Sequence, residues 1–142
     1  MRPDEFVAEF DQMFADLARR ARTGQFSPNC DVFVEDGGGT IIVNVELAGA
    51  NPDDLRVGVE KRSLFILGRR VDRSEKRHEL LQKEIEYGEF CKKIHLPVSV
   101  AYERASATYQ DGLLTIRLPI APGHAQPANR AEVRMIVKRI LA

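Results

Sequence analysis

The residues best suited to binding a metal or exchanging protons are three histidines, and their spacing does not form a site. His78 lies in a run of charged residues, His95 in a strand-like segment, and His124 in a segment rich in proline, glycine and alanine. None has a second histidine or a cysteine at the spacing that a zinc site requires. Because His95 directly follows Ile94, a regular strand places it on the polar side, where a histidine faces solvent.

The two cysteines also lack a functional spacing. Cys30 and Cys91 form no CxxC pair and lie 61 residues apart in segments that resemble strands. In a chain without an oxidising context, this pattern is typical of free thiols rather than of a disulfide or a metal site.

Motifs for nucleophilic or phosphate chemistry are missing from the sequence. It contains no GxSxG elbow, no GxxxxGK[ST] loop and no GxGxxG that opens a helix. The carboxylate pairs Asp53-Asp54 and Glu84/Glu86 are typical of solvated surfaces. The sequence therefore predicts a protein that is not an enzyme and has no catalytic residues, cofactor or metal.

Composition excludes two further classes of partner. The chain has 142 residues, 44% of them hydrophobic, and its 21 basic and 21 acidic residues give a formal net charge of zero. A neutral chain lacks the positive field that attracts nucleic acids. No stretch approaches the length of a membrane-spanning helix, and the acidic N-terminal turns lack a signal-peptide apolar block. We therefore expect a cytoplasmic protein with no nucleic-acid partner and no membrane span.

The sequence pattern of residues 3–22 predicts an amphipathic helix. Acidic residues begin it and arginines end it, which complements the helix dipole. One apolar stripe, called the arm stripe below, recurs at helical spacing and consists of Phe6, Phe10, Met13, Phe14 and Leu17. Two interpretations remain open from these residues alone: the stripe packs on its own domain, or it is offered to other chains.

From Asp31 the period changes to that of strands. Segments such as TIIVNVELAG and LRVGVE alternate apolar and polar residues, and glycine-rich turns separate them. No helix-length segment lies between them, which favours an antiparallel β-sandwich over βαβ units. The Asp111-Gly112 pair predicts a hairpin, followed by a strand that buries Leu114, Ile116 and Leu118.

The remaining segments predict extensions. Residues 69–79 form a charged loop, and LLQKEI after it is expected to form a short strand held out on this loop. A Pro/Gly/Ala linker over 120–132 precedes the apolar end VRMIVKRILA, whose pattern fits a strand or a helix equally well. We divide the chain into an arm at 1–27, a sandwich domain at 28–120, and a flexible linker with an anchoring tail at 121–142.

With these elements in place, the sequence resembles the small heat-shock proteins, the family with the α-crystallin domain, in their bacterial and plant form. The strongest motif matches the family signature of alanine, three variable residues, Asn or Asp, glycine, an apolar residue and leucine, and its residues are Ala107, Asp111, Gly112, Leu113 and Leu114. Supporting motifs follow in the family's order: VELAG at 45–49, LFILGRR at 64–70, EIEYGEF at 84–90 and HLP at 95–97.

The resemblance implies an immunoglobulin-like sandwich that assembles with itself. The strand on the 71–88 loop would pair with a partner's sheet to form a dimer, with contacts from Leu80, Leu81, Glu84 and Lys92. The tail, anchored by Met135 and Val137, would lie in an edge groove of another subunit and build larger homo-oligomers, although docking in its own subunit stays open. The groove residues would be Leu55, Val57, Val59, Ala105 and Ala107.

Three residues depart from the family pattern. Ala48 replaces a usual proline, Lys92 replaces a usual arginine, and Met135 takes the first tail anchor, where isoleucine is usual. Lysine cannot form the bidentate ion pair that arginine forms with a carboxylate. Methionine can still fill an irregular groove.

The activity implied by the resemblance is ATP-independent holding of partly unfolded client proteins under stress, with the arm stripe binding clients. The alternative from a different class is a sandwich adaptor, similar to a co-chaperone, that binds one folded partner and stays monomeric.

Overall fold

The computed structural model describes residues 12, 15, 26–60, 62–74, 79–122, 131–133 and 135–137. The predicted helix over 3–22 therefore lies outside the described residues apart from Gln12 and Ala15, which are helical and exposed. Most of the predicted linker lies outside them as well.

The described residues form nine strands. Their bounds are β1 (Cys30–Val34), β2 (Thr40–Glu46), β3 (Arg56–Glu60), β4 (Ser63–Arg70), β5 (Gly88–His95), β6 (Ser106–Gln110), β7 (Leu113–Pro119), β8 (Ala131–Val133) and β9 (Met135–Val137). Two short 3-10 turns, Pro52–Asp54 and Tyr102–Arg104, precede β3 and β6.

The strands form two sheets that pack as a sandwich. Sheet A has the order β1-β2-β7-β6-β9, and sheet B has the order β5-β4-β3-β8. Every pairing is antiparallel except that of β6 with β9, which is parallel. The predicted all-β antiparallel sandwich is confirmed, and the tail strand β9 is its one parallel member in the described part of the chain.

The core lies between the sheets and follows the alternation of the strands. Ile41, Val43 and Val45 of β2 are at most 1% exposed, as are Leu64 and Ile66 of β4. The predicted buried face of β7 is also confirmed, since Leu114, Ile116 and Leu118 are all 0% exposed.

The predicted Asp111-Gly112 hairpin is confirmed as the turn between β6 and β7. Both residues have positive φ, 54° for Asp111 and 79° for Gly112, as a two-residue hairpin of this type requires. Gly112 also lies against the chain after β2: its carbonyl oxygen accepts a 2.8 Å hydrogen bond from the Leu47 amide. A Cβ at position 112 would lie 2.9 Å from the Cα of Ala48. The turn therefore requires glycine for two reasons, the positive φ and the lack of space for a side chain.

A second, smaller apolar cluster lies on the outer face of sheet B. Leu67 is its buried centre, with Phe65 and Cys91 packed against it. Phe65 and Leu67 alternate along β4 with Leu64 and Ile66, which belong to the main core, so the two sets point to opposite faces. We call Phe65, Leu67 and Cys91 the outer patch.

Candidate functional site

The first candidate surface is the pair of sheet edges formed by β3 and β6, which receive the tail. Strand β8 pairs antiparallel with β3, opposing Val133 to Val57. Strand β9 pairs in parallel with β6, opposing Met135 to Ala107 and Val137 to Tyr109. With one residue between β8 and β9, the tail crosses directly from an edge of sheet B to an edge of sheet A.

This arrangement shows the conformation of the tail, which the sequence left open. Residues 131–133 and 135–137 are extended strands, so the tail is not a helix there. They pair here with β3 and β6 of the same chain, and docking in a groove of another subunit, which the resemblance implied, stays a prediction. Strand conformation gives the tail hydrogen-bonding partners on both sheet edges at once, which a helix cannot do.

The groove between these edges is apolar, and its role in receiving the tail of another subunit stays a prediction. Leu55, Val57, Val59 and Ala107 are buried, and Ala105 packs partly buried against the same core. The tail contributes Val133 to this core at 5% exposure. Sequence reasoning named only Met135 and Val137 as anchors, yet the period-2 pattern of 133, 135 and 137 was the signal that could have added Val133.

The second candidate surface is the outer edge of sheet A. Strand β1 pairs with β2 and with no other strand among the described residues. The apolar side chains of β1 are exposed to solvent: Val32, Phe33 and Val34 are 44%, 47% and 54% exposed. An open strand edge of this kind offers unpaired backbone groups and apolar side chains to a further strand.

The loop after β4 carries a matching set of exposed apolar residues. Leu80, Leu81 and Ile85 are 58%, 93% and 59% exposed, and Glu84 is exposed beside them. Residues 79–87 form no strand within the chain. The loop strand was predicted to form by pairing with the sheet edge of a second copy of the chain. It therefore stays a prediction.

Arg70 fixes the end of this loop against the sandwich. Arg70 is 8% exposed, and its guanidinium donates from Nε and Nη2 to the carbonyl oxygen of Glu86, at 3.1 and 2.6 Å. It lies 4.2 Å over the ring of Phe26 and 5.5 Å from that of Tyr87. Charge-assisted hydrogen bonds and ring contacts together satisfy a buried cation. The contacts of Arg70 thus hold the end of the loop that carries the exposed apolar residues.

Lys92 has a contact inside the chain. It lies on β5, and its Nζ donates a 2.7 Å hydrogen bond to the carbonyl oxygen of Pro28. Nearby, the rings of Phe26 and Phe90 meet edge to face with centroids 5.5 Å apart. Lys92 and Phe90 therefore fix the point at which the chain enters the sandwich.

Within the described part of the chain, no group of three or more His, Cys, Asp or Glu side chains could hold a metal ion. Nor is any helix described there long and apolar enough to cross a membrane. His95 is exposed, and both cysteines are free thiols. Burial raises the pKa of Cys91 to about 11, so this thiol is neutral and poorly nucleophilic at physiological pH.

Comparison with known proteins agrees with this architecture. A model of the Hsp20/alpha crystallin family matches residues 34–136. Heat shock protein 16 of Schizosaccharomyces pombe is 33% identical over 101 residues, which are 68% of each chain. Other matching relatives include bacterial and plant heat-shock proteins.

Solved structures give the same result. The hspA protein of Xanthomonas axonopodis superposes with a TM-score of 0.63 at 28% identity, covering 70% of this chain and 98% of that one. A small heat-shock protein from Xylella fastidiosa, described as having a distinct high order structure, gives a TM-score of 0.60 at 28% identity and covers 75% of this chain and all of that one.

The antiparallel β-sandwich of this chain is thus the fold of the small heat-shock proteins. The chain belongs to the Hsp20/alpha crystallin family. Members of this family are chaperones rather than enzymes, so the membership supports a chaperone role.

Proposed function

We propose that this protein is an ATP-independent holdase, which binds partly unfolded proteins in the cytoplasm under stress and prevents their aggregation. The observation that carries the proposal is the docked tail. The edges of β3 and β6 accept an extended apolar segment through backbone pairing, and Val133 of that segment is buried. An unfolding client presents the same kind of segment, and binding it requires no phosphate site.

Burial of apolar surface supplies the affinity in this proposal. Removing apolar surface from water gains roughly 25 cal/mol per Å². The arm stripe, Phe6, Phe10, Met13, Phe14 and Leu17, is the proposed client-binding surface, and it lies outside the described residues. Holding consists of reversible binding alone, so no catalytic residue is needed.

Self-association is the second part of the proposal. The exposed β1 edge, with Val32, Phe33 and Val34, would pair with the loop of a partner through Leu80 and Leu81. Deleting residues 73–84 removes that loop strand, so we expect monomers by multi-angle light scattering. Replacing the same residues with a Gly/Ser segment of equal length should give the same result. A dimer that survives both changes would require another interface.

Larger assemblies are proposed to form by exchange of the tail. Strand β8 begins at Ala131, so the predicted linker is shorter than 120–132. At about 5–6 Å times the square root of its length, a flexible segment over 120–130 would span roughly 18 Å. A tail that leaves its own β3 and β6 edges can then occupy those of a neighbour. Met135→Ala with Val137→Ala should shift the assembly towards dimers, and an unchanged elution volume would refute the tail's role in assembly.

The experiment that tests the proposed function heats a labile client with the protein, without ATP, and separates the products by size. A holdase leaves client and protein together in large soluble complexes only after heating. The adaptor alternative predicts instead a monomer that binds one folded partner at fixed stoichiometry before heating. Recovery of the client only as a precipitate would exclude holding.

A further inference from the structure

Arg70 is a buried cation whose partners come from three separate segments of the chain. Its Nε and Nη2 donate to the carbonyl oxygen of Glu86, at 3.1 and 2.6 Å, and Nη1 donates to that of Ala48 at 3.4 Å. The guanidinium carbon lies 4.2 Å from the ring centroid of Phe26 and 5.5 Å from that of Tyr87. One side chain therefore contacts the chain before β1, the chain after β2 and the end of the loop after β4.

Two of these segments have no other contact of this strength with each other. The entry segment, residues 26–29, and the loop end, residues 84–87, line a common cleft of about 620 Å³, and Arg70 lines it as well. A space of this size keeps most of the two segments apart. Contact between them therefore passes mainly through the guanidinium.

The ring of Phe26 controls how much water reaches the guanidinium. Phe26 is 6% exposed and packs edge to face on Phe90, so its ring is held over Arg70. A ring in this position excludes water from one face of the cation, and hydrogen bonds to an ion are stronger where water is excluded. The two bonds to the carbonyl oxygen of Glu86 are therefore strongest while the entry segment is docked.

The reverse effect follows from the same contacts. If the loop end leaves, Arg70 loses both hydrogen bonds to Glu86, and a buried cation without its partners is costly. The guanidinium then gains by turning towards water. That movement takes the cation away from the ring of Phe26 and weakens the docking of the entry segment. Coupling between two binding events is reciprocal in this way by thermodynamic necessity.

We propose that Arg70 couples the two segments, so that docking of the entry segment and docking of the loop end stabilise each other through its guanidinium. Release of either segment loosens the other. The coupling belongs to the folded chain and is independent of holdase activity. Its consequence, that the state of the entry segment sets how firmly the dimer loop is held, rests on the proposed pairing of that loop with a partner.

The coupling can be measured in both directions with single tryptophans, because the chain has none. Tyr87→Trp places a reporter on the loop end, and Phe26→Trp places one on the entry segment. Tryptophan keeps the contact between ring and cation in each case. Quenching of its emission by acrylamide measures how open the reporter is in the full chain.

The first direction perturbs the entry segment and observes the loop end. In the Tyr87→Trp chain, Phe26→Leu should raise the quenching constant by about twofold, since coupling of the usual strength raises the undocked fraction at least about fivefold. With Arg70→Met present, Phe26→Leu should add no further increase. An increase of equal size with and without Arg70, or no increase in either chain, would overturn the proposal.

A general loss of stability is excluded by a matched control. Leu96 is 0% exposed in the same core and lies just beyond the end of β5 that is far from Arg70. Leu96→Val in the Tyr87→Trp chain should leave the quenching constant unchanged. An increase equal to that of Phe26→Leu would mean that any loosening of the core opens the loop end, which contradicts a specific coupling.

The second direction perturbs the loop end and observes the entry segment. In the Phe26→Trp chain, Tyr87→Gly removes one ring and loosens the backbone that carries the carbonyl of Glu86, so quenching should rise. Glu79→Gly loosens an exposed position of the same loop and should leave quenching unchanged. Unchanged quenching in Tyr87→Gly, or an equal rise in both variants, would contradict reciprocal coupling through Arg70.

A second substitution of Arg70 covers the case in which Arg70→Met does not fold. Arg70→Lys keeps the charge but lacks the planar fork that places two donors on the carbonyl of Glu86, so it should also abolish the transmission. Transmission that persists in Arg70→Lys would contradict the proposal. No assay contains a client, so the coupling can be confirmed while holdase activity fails, and the reverse.

Discussion

The hydroxyl of Tyr109 donates a 2.6 Å hydrogen bond to the carbonyl oxygen of Leu47, 62 residues earlier in the chain. Tyr109 lies on β6, the strand that receives β9, and Leu47 follows β2. The bond therefore connects β6, which receives the tail, to the segment after β2. The Asp111-Gly112 hairpin packs against that same segment. Burial is the main cause that raises the pKa of Tyr109, so the hydroxyl remains a donor well above neutral pH.

Removing this hydroxyl should weaken the domain modestly. In Tyr109→Phe the Leu47 carbonyl still accepts the amide hydrogen of Ala50 at 3.1 Å, so it is not left without a partner. We expect a loss of about 1 kcal/mol in the free energy of unfolding, the usual value for one hydrogen bond. Urea denaturation measures it, with the more exposed Tyr102→Phe as the control. Equal midpoints for the two variants would show that the bond does not stabilise the edge.

The hairpin glycine should not tolerate a side chain. Gly112→Ala combines a residue at φ 79° with a contact of 2.9 Å to the Cα of Ala48. The left-handed conformation alone costs an alanine roughly 1–2 kcal/mol, so we expect a clear fall in melting temperature. Gly39→Ala is the matched control, because a Cβ there meets nothing within 4 Å. A melting temperature for Gly112→Ala equal to that of the control would contradict this account of the turn.

The buried tail valine should hold the tail in place. Val133→Ala removes apolar volume from a site that is 5% exposed, and a cavity of this kind costs about 1–3 kcal/mol. Because the tail is short, we expect the loss to appear as faster amide hydrogen exchange in residues 131–137. Val71→Ala, at a site 49% exposed, is the matched control. Unchanged exchange in the tail would mean that Val133 does not anchor it.

The Cys91 thiol should react slowly until strongly alkaline pH. Its pKa is raised from the ordinary 9.0 to about 11 by burial. In a Cys30→Ala background, the alkylation rate should keep rising towards pH 11 because the thiolate is the reactive form. The unfolded chain releases this proton at lower pH than the folded chain, so stability should fall as pH rises between 9 and 11. A rate that levels off near pH 9 would show that Cys91 is not shielded.

Much of the fold was predictable because one face of each strand is buried. The period-2 pattern located β2, β3 and β7, and Asp111-Gly112 located a turn that needs two residues of positive φ. The same parity could also have predicted the burial of Arg70, since it lies on the same face of β4 as Leu64 and Ile66. Its charge instead favoured a solvated position, because the carbonyl oxygen of Glu86 that accepts its hydrogen bonds lies at the far end of the loop after β4, 16 residues later.

The tail and the loop were less predictable for a different physical reason. A short apolar segment takes its conformation from the surface that receives it, so periodicity could not choose between strand and helix for residues 133–140. Only the register of Val133 with Val57, and of Val137 with Tyr109, fixes the strand and its edges. Leu80 and Leu81 pair with no strand among the described residues, so their predicted strand depends on a second copy.

The most direct test of the central claim is light scattering from a heated, aggregation-prone enzyme, without ATP, in the presence of this protein. The account predicts strong suppression of scattering at an equimolar ratio and none from an unrelated protein of similar size. A variant with Phe6→Ser, Phe10→Ser and Phe14→Ser should lose most of the effect, whereas Gln12→Ser with Ala15→Ser should keep it. Scattering that is unchanged by equimolar or excess protein would contradict the holdase function.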